Sequence, residues 1–382
     1  MAKATNQLVR AGHYEKFGEN DHFIPSKLPP IPDIDIDKDM LELYGEAMQS
    51  LGKFAEAQTR IPSKRQFLDV YIAKEAIFSS QIENIHTTLT EVLEYKSKQK
   101  LQENENKNVQ EVLNYIEALH HGIHLLNEKG LPISSRLIRE CHKKLLAGVR
   151  GENKSPGVYR KVPVFVGSLV PPPANYVEDL IHDLERFINE NTSILPLMKA
   201  GLAHVQFETI HPFLDGNGRI GRLLIVLMMM DNHLISEPVL YPSFYFMKYR
   251  SEYYDRLSAV RTRGDYEGWI KYFLRAVRTS ADDIVKRAWM IDGLLEECSN
   301  KIEEKLPRVR KNAHALLDQL CHTPIMSIND TSEFIGSTYN TAQKLINSFL
   351  ELGILKSEND KQRGKSYSFK KYLDILEKEF EG

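Results

Sequence analysis

At 382 residues the chain has enough material for two or three domains, each with a buried core. A formal net charge of −2 gives no global field toward nucleic acid or an anionic membrane, and no apolar run approaches the length that spans a bilayer. The three cysteines, Cys141, Cys298 and Cys321, are odd in number and widely spaced; this excludes a disulfide framework or thiolate metal site and fits a reducing cytoplasm.

The N-terminus lacks a basic-then-apolar leader pattern. Residues 1–39 read as an extended arm, because Ile24-Pro25, Leu28-Pro29-Pro30 and Ile31-Pro32 bias the backbone toward polyproline or β conformations. Asp39 can cap a helix in which Met40, Tyr44, Ala47, Leu51 and Phe54 recur at three- and four-residue spacing. A second helix is predicted from about Gln66, with Leu68, Ile72, Ala76, Ser79 and Glu83 along one face. That face ends in polar residues, which is unusual for a core-facing stripe. Asn84 suits the left-handed residue that ends such a helix, and Glu83 would face the negative dipole end, so a cation should compensate it. The plainer reading is a solvated surface glutamate.

The charged, amide-rich stretch 96–108 reads as a solvated helix end or loop. Helices are expected from Val109 to Glu128, ended by Gly130, and after Ser134, with Leu137, Cys141, Leu145 and Leu146 inward. Between Gly148 and Pro173 the pattern turns to β: Val158-Tyr159, Val162 and Val164-Phe165-Val166 predict a short hairpin. Helices resume over Asn175 to Asn189 and Leu197 to Ile210.

The chain is organised around the next stretch, His211-Pro212-Phe213-Leu214-Asp215-Gly216-Asn217-Gly218-Arg219-Ile220-Gly221-Arg222. This loop runs into Leu223–Met230, eight apolar residues that read as a helix, or conceivably a strand, buried on all sides. Free N–H groups at the helix start attract anions, and Gly216 and Gly218 let a phosphate approach the main chain. Arg219 and Arg222 add planar forks suited to phosphate oxygens. Asp215 is the lone carboxylate that a Mg2+ shared with a polyphosphate would need. His211 can accept a proton near neutral pH. The residues describe a nucleotide, metal and base site.

Beyond it, Tyr241-Pro242 opens a helical stretch rich in tyrosine, and helices through Trp269–Phe273 and Ile284–Leu294 complete the core. Lys301–Lys305 reads as a linker or helix end. From Arg308 a small domain begins: Asp330 to Ile335, Gly336, then Thr338 to Leu352 has helix-turn-helix spacing. Ile354-Leu355 and Tyr367–Phe369 flank a turn at Arg363-Gly364, as a winged-helix hairpin would. Seven basic against three acidic residues from Thr338 to Lys371 leave two readings side by side, DNA contact through Asn340, Gln343 and Lys344 or a protein-contact module.

The pattern His-Pro-Phe-x-x-Gly-Asn-Gly-Arg-x-x-Arg resembles the signature of Fic-domain proteins, with all eight fixed positions matched. The resemblance implies a mostly α fold: a Fic-type helical core with a short β-hairpin flap, followed by a winged-helix domain. The expected partition is 1–108 for the arm and N-terminal helices, 109–290 for the core, 291–305 for a linker and 306–382 for the winged helix. It further implies transfer of AMP from ATP, with Mg2+, onto a hydroxyl of a target protein or of the chain itself. His211 would be the base and Asp215 the metal ligand. Gly216, Asn217, Gly218, Arg219 and Arg222 would hold the phosphates, and Gln206 and Tyr249 the adenine. Ser79-x-x-x-Glu83-Asn84 is similar to the inhibitory helix of such proteins, in which the glutamate pairs with the second arginine, here Arg222. The flap would bind the target as an added strand. Rival readings are AMP removal, transfer of another nucleotide or phospho-group, and a non-catalytic sensor that acts on a promoter. A homodimer is compatible with all of them.

Overall fold

A computed structural model describes residues 10–57, 64–98, 106–357 and 365–377. Chain contacts divide the molecule into two units, one of residues 1–51, 71–92 and 103–281, the other of residues 52–70, 93–102 and 282–382. Within 1–108, residues 1–51 and 71–92 share a unit with the core, and residues 52–70 and 93–102 fall in the other.

The first unit opens with a hairpin of β1 (Gly12–Phe17) and β2 (Asn20–Pro25), antiparallel with Phe17 opposite Asn20. This corrects the expectation of an unpaired arm. His22, Phe23, Ile24 and Pro25 are buried in succession, so both faces of β2 are covered, which proline spacing alone did not reveal. Helices α1 (Lys38–Ala57) and α2 (Lys64–Ile82) follow the predicted stripes: Met40, Ala47, Leu51, Phe54, Ile72, Ala76 and Ser79 are all buried. Helix α3 (Leu89–Lys98) takes up the start of the charged stretch, whose positions 99–105 lie outside the described residues.

Helices α4 (Lys107–Asn127) and α5 (Ser135–Leu145) pack together, and Ser134 caps α5 by accepting the Leu137 N–H. Helices α6 (Val177–Asn189), α7 (Pro196–Ile210) and α8 (Asn217–Asp231) complete the central layer, with α8 against α4, α5 and α7. Every residue from Leu223 to Met229 is buried, which settles the apolar run as a central helix. The turn joining α7 to α8 is thus held between two buried helices, a rigid mount for the motif. Two further helices, α9 (Ser243–Lys248) and α10 (Arg250–Arg263), lead into α11 (Tyr266–Lys305).

Two expectations need correction. Residues 148–173 carry one isolated bridge, Val166 to Leu169, and no strand ladder. Pro163, Pro171, Pro172 and Pro173 lack the N–H groups a ladder needs, and the loop borrows a strand instead, since the Phe23 N–H of β2 donates to the Val170 carbonyl. Residues 291–305 are no linker: α11 runs unbroken to Lys305, with Ile291, Leu294, Cys298 and Ile302 buried at helical spacing.

In the second unit, α12 (Arg310–His322), α13 (Ile328–Phe334) and α14 (Tyr339–Glu351) accompany a three-stranded antiparallel sheet. Its order is β3 (Ile325–Ser327), β5 (Ser366–Ser368), β4 (Lys356–Ser357), and α15 (Lys370–Glu377) comes last. Ser327 and Asp330 form a reciprocal capping box at α13, and Gly336 turns the chain with φ 58°. Asn340, Gln343 and Lys344 are exposed on α14; Arg363-Gly364 lies outside the described residues. No helix among the described residues is long and apolar enough to cross a membrane.

Candidate active site

Helix α7 ends at His211, whose backbone adopts the left-handed region at φ 49°. The chain reverses there, and Gly216, at φ 77°, caps α8. Both ends of the reversal are tied down. The Asn217 side chain accepts the Phe213 N–H at 2.8 Å and donates to the Phe213 carbonyl at 2.9 Å. Its amide oxygen and one of its two N–H donors are thus engaged inside the loop. The Gly216 N–H goes to Asp215 Oδ1 at 2.6 Å.

His142 of α5, which the sequence did not single out, supports the loop from beneath. Its ring stacks on Phe213 with centroids 3.7 Å apart. Nδ1 accepts the Gly157 N–H at 2.8 Å, so the proton sits on Nε2 and is donated to the Asp215 carbonyl at 2.9 Å. Burial lowers its pKa to about 4, and the ring stays neutral.

The two motif arginines lie three residues apart and meet different partners. Arg219 donates to Glu111 of α4 at 2.8 Å, and both side chains are almost wholly buried, at 1% and 3% exposed. Its other arm lies 3.7 Å from Asp215. Arg222 points toward α2. Its Nε donates to Ser79 Oγ at 2.9 Å, and its Nη2 donates to the Ser79 carbonyl at 2.8 Å and to Glu83 Oε1 at 2.7 Å. Asn84 ends α2 at φ 61°, in the left-handed capping role expected of it. Burial pushes the Glu83 carboxyl up, but the Arg222 charge outweighs it and the net shift is downward. Burial opposes the charge on Arg222 too, and Glu83 holds it firmly protonated.

Glu83 does more than neutralise Arg222. A side chain at Gly218 would place its Cβ 2.2 Å from Glu83 Oε1. The carboxylate thus rests on the first turn of α8, where the N–H groups of Asn217, Gly218 and Arg219 have no intrahelical acceptor. Its one hydrogen-bond donor among the described residues is Arg222.

Glu83, Glu208, His211, Asp215, Arg222 and Tyr253 line one cavity of about 180 Å3. Burial lowers the His211 pKa to about 4, with Arg160 and Arg261 adding to the drop, so the ring is neutral and able to accept a proton. Glu208, one turn before His211, was missed by the sequence reading; burial raises its pKa to about 7, and its Oε1 has no hydrogen-bond partner among the described residues. A carboxylate in the last turn of a largely buried helix, three positions before the motif, was the available signal.

The two adenine candidates do not face this cavity. Gln206 donates its amide to the Ser26 carbonyl at 2.9 Å and lies between α7 and the residues after β2. Tyr249 sits at the break between α9 and α10, its ring 4.6 Å from Tyr245. One turn further on, Tyr253 and Tyr254 line the cavity instead. No cluster of three or more His, Cys, Asp or Glu able to hold a metal occurs among the described residues. A cation shared with a polyphosphate needs only a carboxylate or two from the protein, and Asp215, at the cavity wall, fits that requirement.

Residues 41–124 match the Fic/DOC family N-terminal region and residues 132–229 match the Fic/DOC family. The chain carries a Fic domain. A protein adenylyltransferase of Caenorhabditis elegans is 29% identical over 195 residues, 48% of this chain and 36% of that protein. One from Drosophila grimshawi is 31% identical over 154 residues, 40% of this chain and 30% of its own length. A probable protein adenylyltransferase of Aquifex aeolicus is 28% identical over 178 residues, 45% of this chain and 52% of its own. The chain thus spans about a third of the first two and about half of the third. Among solved structures, a Fic family protein from Desulfovibrio desulfuricans G20 aligns over 88% of this chain and 97% of its own, with 23% identity and a TM-score of 0.57. A C. elegans Fic-1 fragment aligns over 66% of this chain and 72% of its own, with 23% identity and a TM-score of 0.51. Both likenesses concern the fold. The matched Fic region begins just before α5 and ends within α8, so it contains His142, Arg160 and the whole motif loop.

Proposed function

We propose that the chain is a protein adenylyltransferase that moves AMP from ATP onto a Ser, Thr or Tyr hydroxyl of a target protein, and onto itself, and that Glu83 restrains it. The observation that carries this reading is the Glu83 carboxylate seated on Gly218 and bound to Arg222, beside a neutral His211. A site that receives a carboxylate at a helix start and on a guanidinium is built for phosphate oxygens.

The parts divide the work. The Gly216–Gly218 main chain receives α-phosphate charge as the bond to the leaving group breaks. Arg222, once free of Glu83, binds the γ-phosphate, and Arg219 fixes the helix start against Glu111 as well as facing the phosphates. Tyr253 and Tyr254 offer an aromatic wall to the base, in place of Gln206 and Tyr249. His211 takes the proton of the target hydroxyl, whose oxygen forms the new bond to the α-phosphorus while pyrophosphate departs. Asp215 would hold Mg2+, which when bound neutralises phosphate charge. The loop 160–173, with one bridge and an exposed Val162 and Phe165, would present the target backbone. A winged-helix reading of the C-terminal unit rests on the α13–Gly336–α14 turn and the exposed Asn340, Gln343 and Lys344, and it leaves DNA and protein contact as alternatives.

Incubation with α-labelled ATP and Mg2+ tests this reading. Wild type and His211→Ala are compared by label transfer and by mass spectrometry of the protein. One AMP added per modified hydroxyl in wild type, falling by ~10²–10⁴-fold in the variant while ATP still binds, is the expected result. Equal labelling would remove His211 from the role of base. Release of AMP from a pre-modified protein by wild type, with no transfer, would favour AMP removal.

A further inference from the structure

We infer that Arg160 is a positioning residue for His211, one guanidinium that sets the base and the target-facing loop against each other; the inference rests on the adenylyltransferase reading. Its side chain is buried, at 2% exposed, and its donors all go to main-chain carbonyls. Nε donates to His211 O at 2.8 Å, and Nη2 donates to Ile210 O at 3.2 Å and Pro172 O at 2.6 Å. Nη1 reaches Val162 O at 3.4 Å, and the backbone N–H of Arg160 donates to Pro212 O at 2.9 Å.

Nothing in this arrangement neutralises the charge. Arg219 and Arg222 each hold a carboxylate, whereas no carboxylate pairs with Arg160 among the described residues. Burial therefore lowers its pKa, to about 10, with no opposing partner. A buried guanidinium without a counter-ion is costly, so its retention points to work that carbonyl placement requires.

Two features show what that work is. First, His211 holds the left-handed backbone that non-glycine residues avoid, and it ends α7, where helix carbonyls lack partners. Arg160 satisfies the carbonyls of 210, 211 and 212 together and puts a positive charge at a helix C-terminus. The imidazole direction follows from that backbone. Second, Val162 and Pro172 lie on the two stems of the loop whose tip is the Val166–Leu169 bridge. From the far side β2 holds the same loop: His22 Nδ1 lies 2.6 Å from Pro171 O, and the Phe23 N–H reaches Val170 O. The loop thus keeps its β2 anchor when the Arg160 side chain is lost, while the Ile210 and His211 carbonyls lose their donors and only the main-chain bond to Pro212 O remains on that side. A lysine, with a single ammonium, cannot span carbonyls on both sides.

The test uses the full chain with Glu83→Gly as parent, carrying Arg160→Met or Arg160→Lys. Three quantities are measured: kcat and KM for ATP in self-modification, the thermal transition, and the imidazole signals in 1H–15N spectra, with His211→Ala identifying its resonance. Arg160→Met is expected to lower kcat by roughly 10²-fold, the scale of a small misplacement at the reacting centre, with KM for ATP within about threefold of the parent. Arg160→Lys should recover part of the rate. The His211 ring signals should move or double while those of His204 stay. An unchanged kcat in a folded Arg160→Met, or kcat and KM worsening together with unmoved His211 signals, would overturn the inference. If Arg160→Met does not fold, Arg160→Lys decides, and a kcat equal to the parent's rejects it. If the parent itself transfers no AMP, the functional reading fails, and the His211 signals still decide the positioning role.

Discussion

The two ends of one helical turn, Arg219 with Glu111 and Arg222 with Glu83, use the same chemistry for opposite purposes. Glu111 is 3% exposed and meets Arg219 inside the packed contact of α4 with α8; Glu83 is 34% exposed and reaches Arg222 from the end of α2. A pair closed off from water is costly to break, because either charge left alone stays desolvated. A pair at the cavity wall can exchange one oxyanion for another. On the proposed function, the first holds the motif helix and the second is the pair that releases Arg222 to a phosphate.

Breaking the closed pair should have the largest effect on stability. Glu111→Gln leaves Arg219 buried without its partner and is expected to cost about 3 kcal/mol, the lower end of the range because Asp215 lies within 3.7 Å and supplies some charge. Urea denaturation of the full chain measures it. A loss below about 1 kcal/mol would make the two pairs equivalent and remove the contrast.

A smaller effect concerns pH on the cavity side. At pH 5.5 an ordinary imidazole with pKa near 6.5 is about nine-tenths protonated, and a base of that kind would lose about tenfold in rate. His211, with its pKa lowered to about 4, should keep Glu83→Gly activity within about twofold from pH 7.5 to 5.5. Any residual step near pH 7 belongs to Glu208, whose pKa is about 7, and Glu208→Gln should flatten it. The same depressed pKa carries a stability sign. The unfolded imidazole binds its proton first, so the His211 contribution is complete above about pH 6.5 and is lost as pH falls toward 4. The raised pKa of Glu208 works the other way, favouring the fold as pH falls below about 7.

The smallest expected effect is at the end of α2. Asn84→Ala must hold φ 61° with an ordinary side chain and should cost about 1 kcal/mol, whereas Asn84→Gly should be near neutral in stability. Thermal shifts of equal size for both would mean that the Arg250 contact to Asn84 Oδ1, at 3.0 Å, matters more than the backbone.

What the sequence made legible was local. Helix stripes, the Ser134 cap, the Asn84 stop and the buried run after the motif follow from spacing and propensity within a few residues. The Arg222 partner, 139 residues away, was reached only through resemblance, with a badly placed carboxylate as the local hint. Glu111, 108 residues from Arg219, had no such hint, because a glutamate at the start of a long helix is ordinary. The stapling of the loop by the Asn217 amide was not legible, because a residue beside a phosphate loop and a residue stapling that loop share one composition. Strand placement failed for a related reason. Valine-rich 158–166 has strand propensity but proline neighbours, and the hairpin formed at 12–25, where burial against the core decides. Tyr249 missed the cavity by one helical turn, because the break between α9 and α10 shifts the phase of the helix face.

The central claim is that Glu83 and a γ-phosphate compete for Arg222. Initial rates of self-modification for wild type, Glu83→Gly, Arg222→Ala and the double variant test it most directly. The Glu83–Arg222 contact is worth ~1.5 kcal/mol, the lower end for a charged hydrogen bond because Glu83 is partly exposed, so Glu83→Gly should raise the rate by about tenfold or more. Adding Arg222→Ala should abolish that gain, because the phosphate loses its anchor. Equal rates for wild type and Glu83→Gly, or a gain that survives loss of Arg222, would contradict the account.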